Sequence, residues 1–214
     1  MHKNTQPHAL PDVAFDAVAL ARPLDWVGMD GMALPIRLGA ETGQPMLVPA
    51  TVDVAVNLHD PDARGIHMSR LYLQLQQGLA NESLGAPSLR RLLEACIGSQ
   101  NGVATRARLH LRFDQLLLRK ALLSDNAGWK RYPVEVEAEL ADGHLRLALA
   151  FSIDYSSTCP ASAALSRQAN AQRFAEDFAD ARSLSNDAVR DWLHSARGMA
   201  ATPHAQRSRA QIRV

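Results

Sequence analysis

Val134-Glu135-Val136-Glu137-Ala138-Glu139-Leu140-Ala141-Asp142-Gly143-His144-Leu145-Arg146-Leu147-Ala148-Leu149 is the stretch that decides the fold class. Val134, Val136, Ala138 and Leu140 alternate with Glu135, Glu137 and Glu139. A period of two places the apolar set on one face of a strand and the carboxylates on the other. Asp142-Gly143 is a two-residue hairpin signal, because both residue types tolerate positive φ. Leu145, Leu147, Leu149, Phe151 and Ile153 then form the return strand. A tight hairpin makes this pairing antiparallel, with one face buried. That face needs a covering layer, and helices are the natural one.

The same alternation recurs outward from the hairpin. Val52, Val54, Val56 and Leu58 alternate with Asp53, Ala55, Asn57 and His59, in a strand that begins near Leu47. Leu109, Leu111 and Phe113 alternate with Arg108, His110 and Arg112. Between these strands lie a loop, Asp60 to Gly65, and two stretches of helical spacing. The first runs from Ile66-His67-Met68-Ser69-Arg70 through Leu71, Leu75 and Leu79. The second runs from about Pro87 to Ile97, with Pro87 in its first turn, where no N–H is needed. Near the start, the glycines of Leu24 to Leu38 suggest a turn joining short extended pieces. Asp12, Asp25, Trp26 and Asp30 read as structural or inter-subunit contacts. After Ile153, residues Ala163 to Arg197 read as helix, with Ser185-Asn186-Asp187 able to cap a second one. Gly198 to Pro203 breaks the pattern, and the last residues alternate like a strand. The expected class is α+β with antiparallel sheets. No Gly-rich phosphate fingerprint follows a strand, so neither a dinucleotide fold nor a P-loop is supported.

Composition narrows the function classes. The chain has 214 residues, 47% hydrophobic and 21% charged, with a formal net charge of +1. That balance gives no overall field for nucleic acid or a membrane surface. No apolar stretch is long enough to span a bilayer, and Met1 to Pro7 has no apolar signal core behind it. Two cysteines, Cys96 and Cys159, make no disulfide framework. The expected location is the cytoplasm. Cys96 lies among apolar residues of a helical pattern and reads as core.

Asp154-Tyr155-Ser156-Ser157-Thr158-Cys159-Pro160-Ala161-Ser162 is where the chemistry is expected. It follows a strand and precedes a helix, so Cys159 lies close to a helix N-terminus. Unpaired amide N–H groups and the helix dipole stabilise a thiolate there. The same position also suits a buried structural cysteine. His67 opens a helix just after a Gly-containing loop. With Ser69 and Arg70 it could bind an anion, or serve only in capping. His204 opens the terminal strand. Arg207, Arg209 and Arg213 have no acidic neighbour in sequence and suit either a triphosphate or a solvated strand face. If Cys159 and His204 shared a metal, one soft and one borderline donor would suit zinc or a similar divalent ion, with further ligands from elsewhere.

Several segments carry a family resemblance. They are Leu10-Pro11-Asp12-Val13, Leu24 to Leu38, Val48-Pro49-Ala50-Thr51-Val52, Gly65-Ile66-His67-Met68-Ser69-Arg70, Leu123 to Lys130, Tyr155 to Pro160, and Pro203-His204-Ala205-Gln206-Arg207-Ser208. Together they resemble the type IB GTP cyclohydrolases, alternative first enzymes of bacterial folate biosynthesis. The resemblance implies a tunnelling fold, in which antiparallel sheets are backed by helix pairs and barrels are completed by neighbouring subunits of a homotetramer. On that reading residues 1–22 are an N-terminal arm. Residues 23–155 form a first module with its linking strands, and 156–214 hold the active-site turn, a helical segment and the start of a second module. The implied reaction converts GTP and water to formate and 7,8-dihydroneopterin triphosphate, with a metal-activated water attacking guanine C8. Cys159 corresponds to the family's metal-binding catalytic cysteine, and His204 to a second ligand of zinc, manganese or iron(II). His67, Arg70 and Arg207 are candidate substrate contacts. Ala161 stands where the family usually has a second cysteine. The family's remaining ligands, a glutamate and a histidine, are expected in a continuation beyond Val214. The alternative expectation is a non-catalytic fragment that keeps only the fold and subunit contacts.

Overall fold

The computed structural model describes residues 23–39 and 44–214. The expected arm, with Leu10 to Val13, Asp12, His2 and His8, lies outside the described residues. Six strands form one sheet in chain order: β1 Leu24–Leu38, β2 Met46–Leu58, β3 Ala107–Lys120, β4 Ala127–Ala141, β5 His144–Thr158 and β6 Ala205–Arg213. The pairs from β1 to β5 are antiparallel. Helices α1 Met68–Asn81 and α2 Ala86–Gly98 lie between β2 and β3 in sequence, and α3 Pro160–Asp177 and α4 Asn186–His194 between β5 and β6. The class is α+β, compatible with a tunnelling-fold arrangement. The chain divides into two compact units, residues up to Ser152 with Ile212–Val214, and Ile153–Gln211.

In the first unit the period of two sends Val52, Val54, Val56, Leu109, Leu111, Ala138 and Leu140 to one face. Leu71, Leu75 and Leu79 of α1 and Leu89, Leu92, Leu93 and Cys96 of α2 complete that core. The Val and Leu side chains of this core each contribute about 1.5–3 kcal/mol by leaving water. Two buried amides tie the loops down. Asn57 Oδ1 accepts from the backbone N–H groups of Thr105 (2.8 Å) and Arg106 (2.7 Å). Gln100, fully buried, accepts from the His67 N–H at 2.7 Å and so fixes the start of α1.

β1 departs from the sequence reading. It is one 15-residue strand rather than short pieces around a turn. Its register shifts between Leu24 and Val27 and again between Met29 and Met32. The glycines have other reasons to be there. Gly31 has φ +70°, and a Cβ on Gly28 would lie 1.9 Å from the Val54 carbonyl oxygen. Asp53 Oδ1 accepts from the Gly31 N–H at 2.7 Å and stabilises the irregularity. Asp25 and Trp26 are held within the chain: Asp25 pairs with Arg106, and Trp26 lies under Arg106 and Arg108.

In the second unit, Ser185 caps α4 by accepting from the Ala188 N–H at 3.1 Å, as its sequence suggests. Phe174, Phe178 and Trp192 cluster, the Phe174–Trp192 pair edge-to-face at 5.1 Å. Asp177 accepts from Trp192 Nε1 at 2.8 Å and from Arg197. Ser166 is the one buried residue of this unit.

Candidate functional site

Cys159 is the N-cap of α3, with Pro160 as the first helical residue. Its φ of −62° and ψ of 121° are extended, so the strand conformation of β5 runs directly into the helix. The thiol is neither sealed in a core nor fully exposed.

His204 comes to the same place by strand pairing. Arg209 of β6 grips Asp154 of β5 through two hydrogen bonds, 2.6 Å from Nε and 3.2 Å from Nη2. Four residues on from Asp154 is Thr158, the end of β5; four back from Arg209 is Ala205, the start of β6. Cys159 and His204 are the next residue on each strand. The Ser157 and Ser208 hydroxyls meet at 3.1 Å beside them, and the His204 N–H donates to Ser162 Oγ, in the first turn of α3, at 3.1 Å. Gln206 Nε2 lies 3.1 Å from His204 Nε2.

A thiol and an imidazole lone pair are the donor types a zinc-like ion takes. They are two donors, and among the described residues no group of three or more His, Cys, Asp or Glu could hold a metal ion. The donor chemistry suits such an ion, and two donors are fewer than a closed zinc site uses.

The remaining candidates belong to different units of the chain. His67 and Arg70 start α1 in the first unit, where Arg70 Nη1 donates to the Ser99 carbonyl at 3.1 Å. Arg207 is exposed in the second unit. Arg209 and Arg213, which have no acidic neighbour in sequence, find acidic partners across strands. Asp154 holds Arg209, and Glu137 accepts from Arg213 at 3.0 and 2.7 Å. Both guanidinium pKa values are raised and that of Glu137 is lowered, chiefly by these hydrogen bonds.

Sequence reasoning missed the charged ladder on the helix-free face of the first unit. Asp53 stands opposite His110, and His110 opposite Glu137. Arg112 donates to both Asp53 oxygens, at 2.6 and 2.9 Å, and this pair holds the Asp53 carboxyl below its usual range. Asp53, His110, Glu137, Arg146 and Arg213 border a cleft of about 450 Å³. The alternation of charge with Val and Leu was the available signal, but strand register was needed to pair the charges.

Against known proteins, the family described as "Type I GTP cyclohydrolase folE2" matches residues 10–214. A relative from Pseudomonas putida (strain GB-1), "GTP cyclohydrolase FolE2", is 44% identical over 205 residues. That alignment covers 96% of this chain and 66% of the relative, so the chain spans just under two thirds of the relative's length. The chain belongs to the type I GTP cyclohydrolase folE2 family.

Proposed function

We propose that this chain carries part of the catalytic centre of a GTP cyclohydrolase, which converts GTP and water to formate and 7,8-dihydroneopterin triphosphate at the entry to tetrahydrofolate biosynthesis. The observation that carries the reading is the placement of Cys159 just after β5 and of His204 just before β6, strands tied together by Arg209 and Asp154, in a chain of this family. These two residues would hold a divalent ion (zinc, manganese or iron(II)) together with donors from outside the described set. Such an ion, when bound, supplies Lewis acidity for the addition of water at guanine C8. Ser162 fixes the His204 backbone by accepting from its N–H. Arg207, exposed on β6, is available for the phosphate oxygens of the substrate. The protein works in the cytoplasm as a homo-oligomer, a tetramer, without nucleic acid or membrane; no helix among the described residues is long and apolar enough to cross a bilayer.

The two-donor count favours a second reading, in which these 214 residues keep the fold and subunit contacts but are not catalytic alone. Purified protein is supplied with GTP and manganese or zinc, and the fluorescence of the oxidised pterin product is followed. Product from the 214-residue chain supports the first reading. Product only from a chain lengthened at its C-terminus supports the second. No product from either form overturns the assignment.

A further inference from the structure

The segment that leads into His204 runs back along α3, and α3 holds it at three points. Asp177 accepts from Arg197 Nε at 2.7 Å and from its Nη2. Asn170 accepts from the Ala201 N–H at 3.1 Å and donates its Nδ2 to the Ala201 carbonyl at 3.3 Å. Ser162 accepts from the His204 N–H at 3.1 Å. The order along α3 is the reverse of the order along the returning segment, so the two lie antiparallel. At 3.6 residues per turn, Ser162, Ser166, Asn170 and Asp177 fall within about 80° of one another around the helix. Ser166, in the middle of that stripe, is 6% exposed, so this is the covered face of α3. All of these residues belong to the second unit.

The middle contact is the specific one. A backbone N–H only donates and a backbone carbonyl only accepts, so the two bonds to Ala201 fix which way the Asn170 amide faces. The amide is half-buried, where an unmade hydrogen bond costs more than at the surface. Ala201 precedes His204 by three residues, and the two between are Thr202 and Pro203. The proline ring locks its own φ, and the residue before a proline is pushed to extended backbone. That link is stiff, so the place of Ala201 sets the place of His204. Strand pairing alone does less, because β6 begins only at Ala205.

We propose that Asn170 is a positioning residue for the centre at Cys159: by gripping both peptide groups of Ala201 it holds the His204 imidazole where it can share a divalent ion with the Cys159 thiolate. Asp177 closes the far end of the helical segment, and Ser162 seats the His204 backbone. The inference rests on the metal-centre reading above and gives the helical segment between the two donors a part in it.

Cobalt(II) is the probe, titrated into the 214-residue chain and into the lengthened form. Two signals are read. The thiolate-to-cobalt charge-transfer band reports Cys159, with Cys159→Ser as its control. The hyperfine-shifted imidazole N–H proton reports His204, with His204→Ala as its control. The parent should give both in at least one form. In that form Asn170→Leu should keep the thiolate band, lose the imidazole signal and bind cobalt about 10–100-fold more weakly, the usual cost of losing a group that orients a metal ligand. Asn170→Asp keeps an acceptor for the Ala201 N–H and should fall between the two. Parent-like cobalt affinity and imidazole signal in Asn170→Leu, or loss of both signals together in both Asn170 variants, overturns the inference and leaves the metal-centre reading standing. A parent that lacks either signal in both forms overturns that reading, and the inference with it.

Discussion

Cys96 and Cys159 are the two thiols of the chain, and their surroundings separate them. Cys96 is fully buried between α2 and the sheet, and that burial pushes its thiol up to about 12. Cys159 lies at a helix start and is partly accessible. An alkylating reagent at pH 8 should therefore label one thiol per native chain, at Cys159 by peptide mapping, and two after unfolding. Asp53 sets a pH dependence. Hydrogen bonds from Arg112, then from the Gly31 N–H, hold its folded pKa below the unfolded value of about 3.9. The stability this gives is present above about pH 4 and is lost as pH falls through the folded value. Arg112→Met removes the partner and should cost about 1–3 kcal/mol at neutral pH. Denaturant titrations at pH 7 and pH 3 should show the gap between the two proteins narrowing in acid.

At the scale of elements, β2, β3, β4 and β5 were legible because each buries one face, so its apolar residues recur every second position. The helices α1 and α2 were legible from Leu71, Leu75 and Leu79 and from the first-turn Pro87. β1 was not. Its glycines resemble turn signals, but Gly28 is there because the Val54 carbonyl approaches closely, and no local pattern shows that approach. Arg209 and Arg213 looked unpartnered for a similar reason, since Asp154 and Glu137 reach them across strands. Cys159 was legible as a strand-to-helix residue, but the strand that brings His204 to the neighbouring position joins β5 across 45 positions of sequence. Gly28→Ala should destabilise by roughly 1–3 kcal/mol or more, as overpacking against rigid backbone does. Leu75→Ala leaves a cavity under α1 and should cost about 2–5 kcal/mol. Thermal or denaturant unfolding measures both.

Across the whole molecule, stability is unevenly spread. The first unit holds the contiguous core, whereas the second unit has Ser166 as its one buried residue and an aromatic trio. Few buried apolar contacts mean easier local opening. Amides of α3 and α4 should exchange with solvent far sooner than those of β2, β3 and α1, which hydrogen-exchange mass spectrometry resolves by segment. Comparable protection in both units would contradict that view. The function proposed above depends most on the Cys159 thiol, the residue just after β5. Its direct test is metal-dependent pterin formation from GTP, compared between the native residue and Cys159→Ala in whichever form of the chain, 214-residue or lengthened, makes product. The account predicts a loss of at least about 100-fold in Cys159→Ala, more than changes around a metal site usually cost, with an unchanged circular dichroism spectrum. Undiminished product formation by a folded Cys159→Ala protein would contradict it.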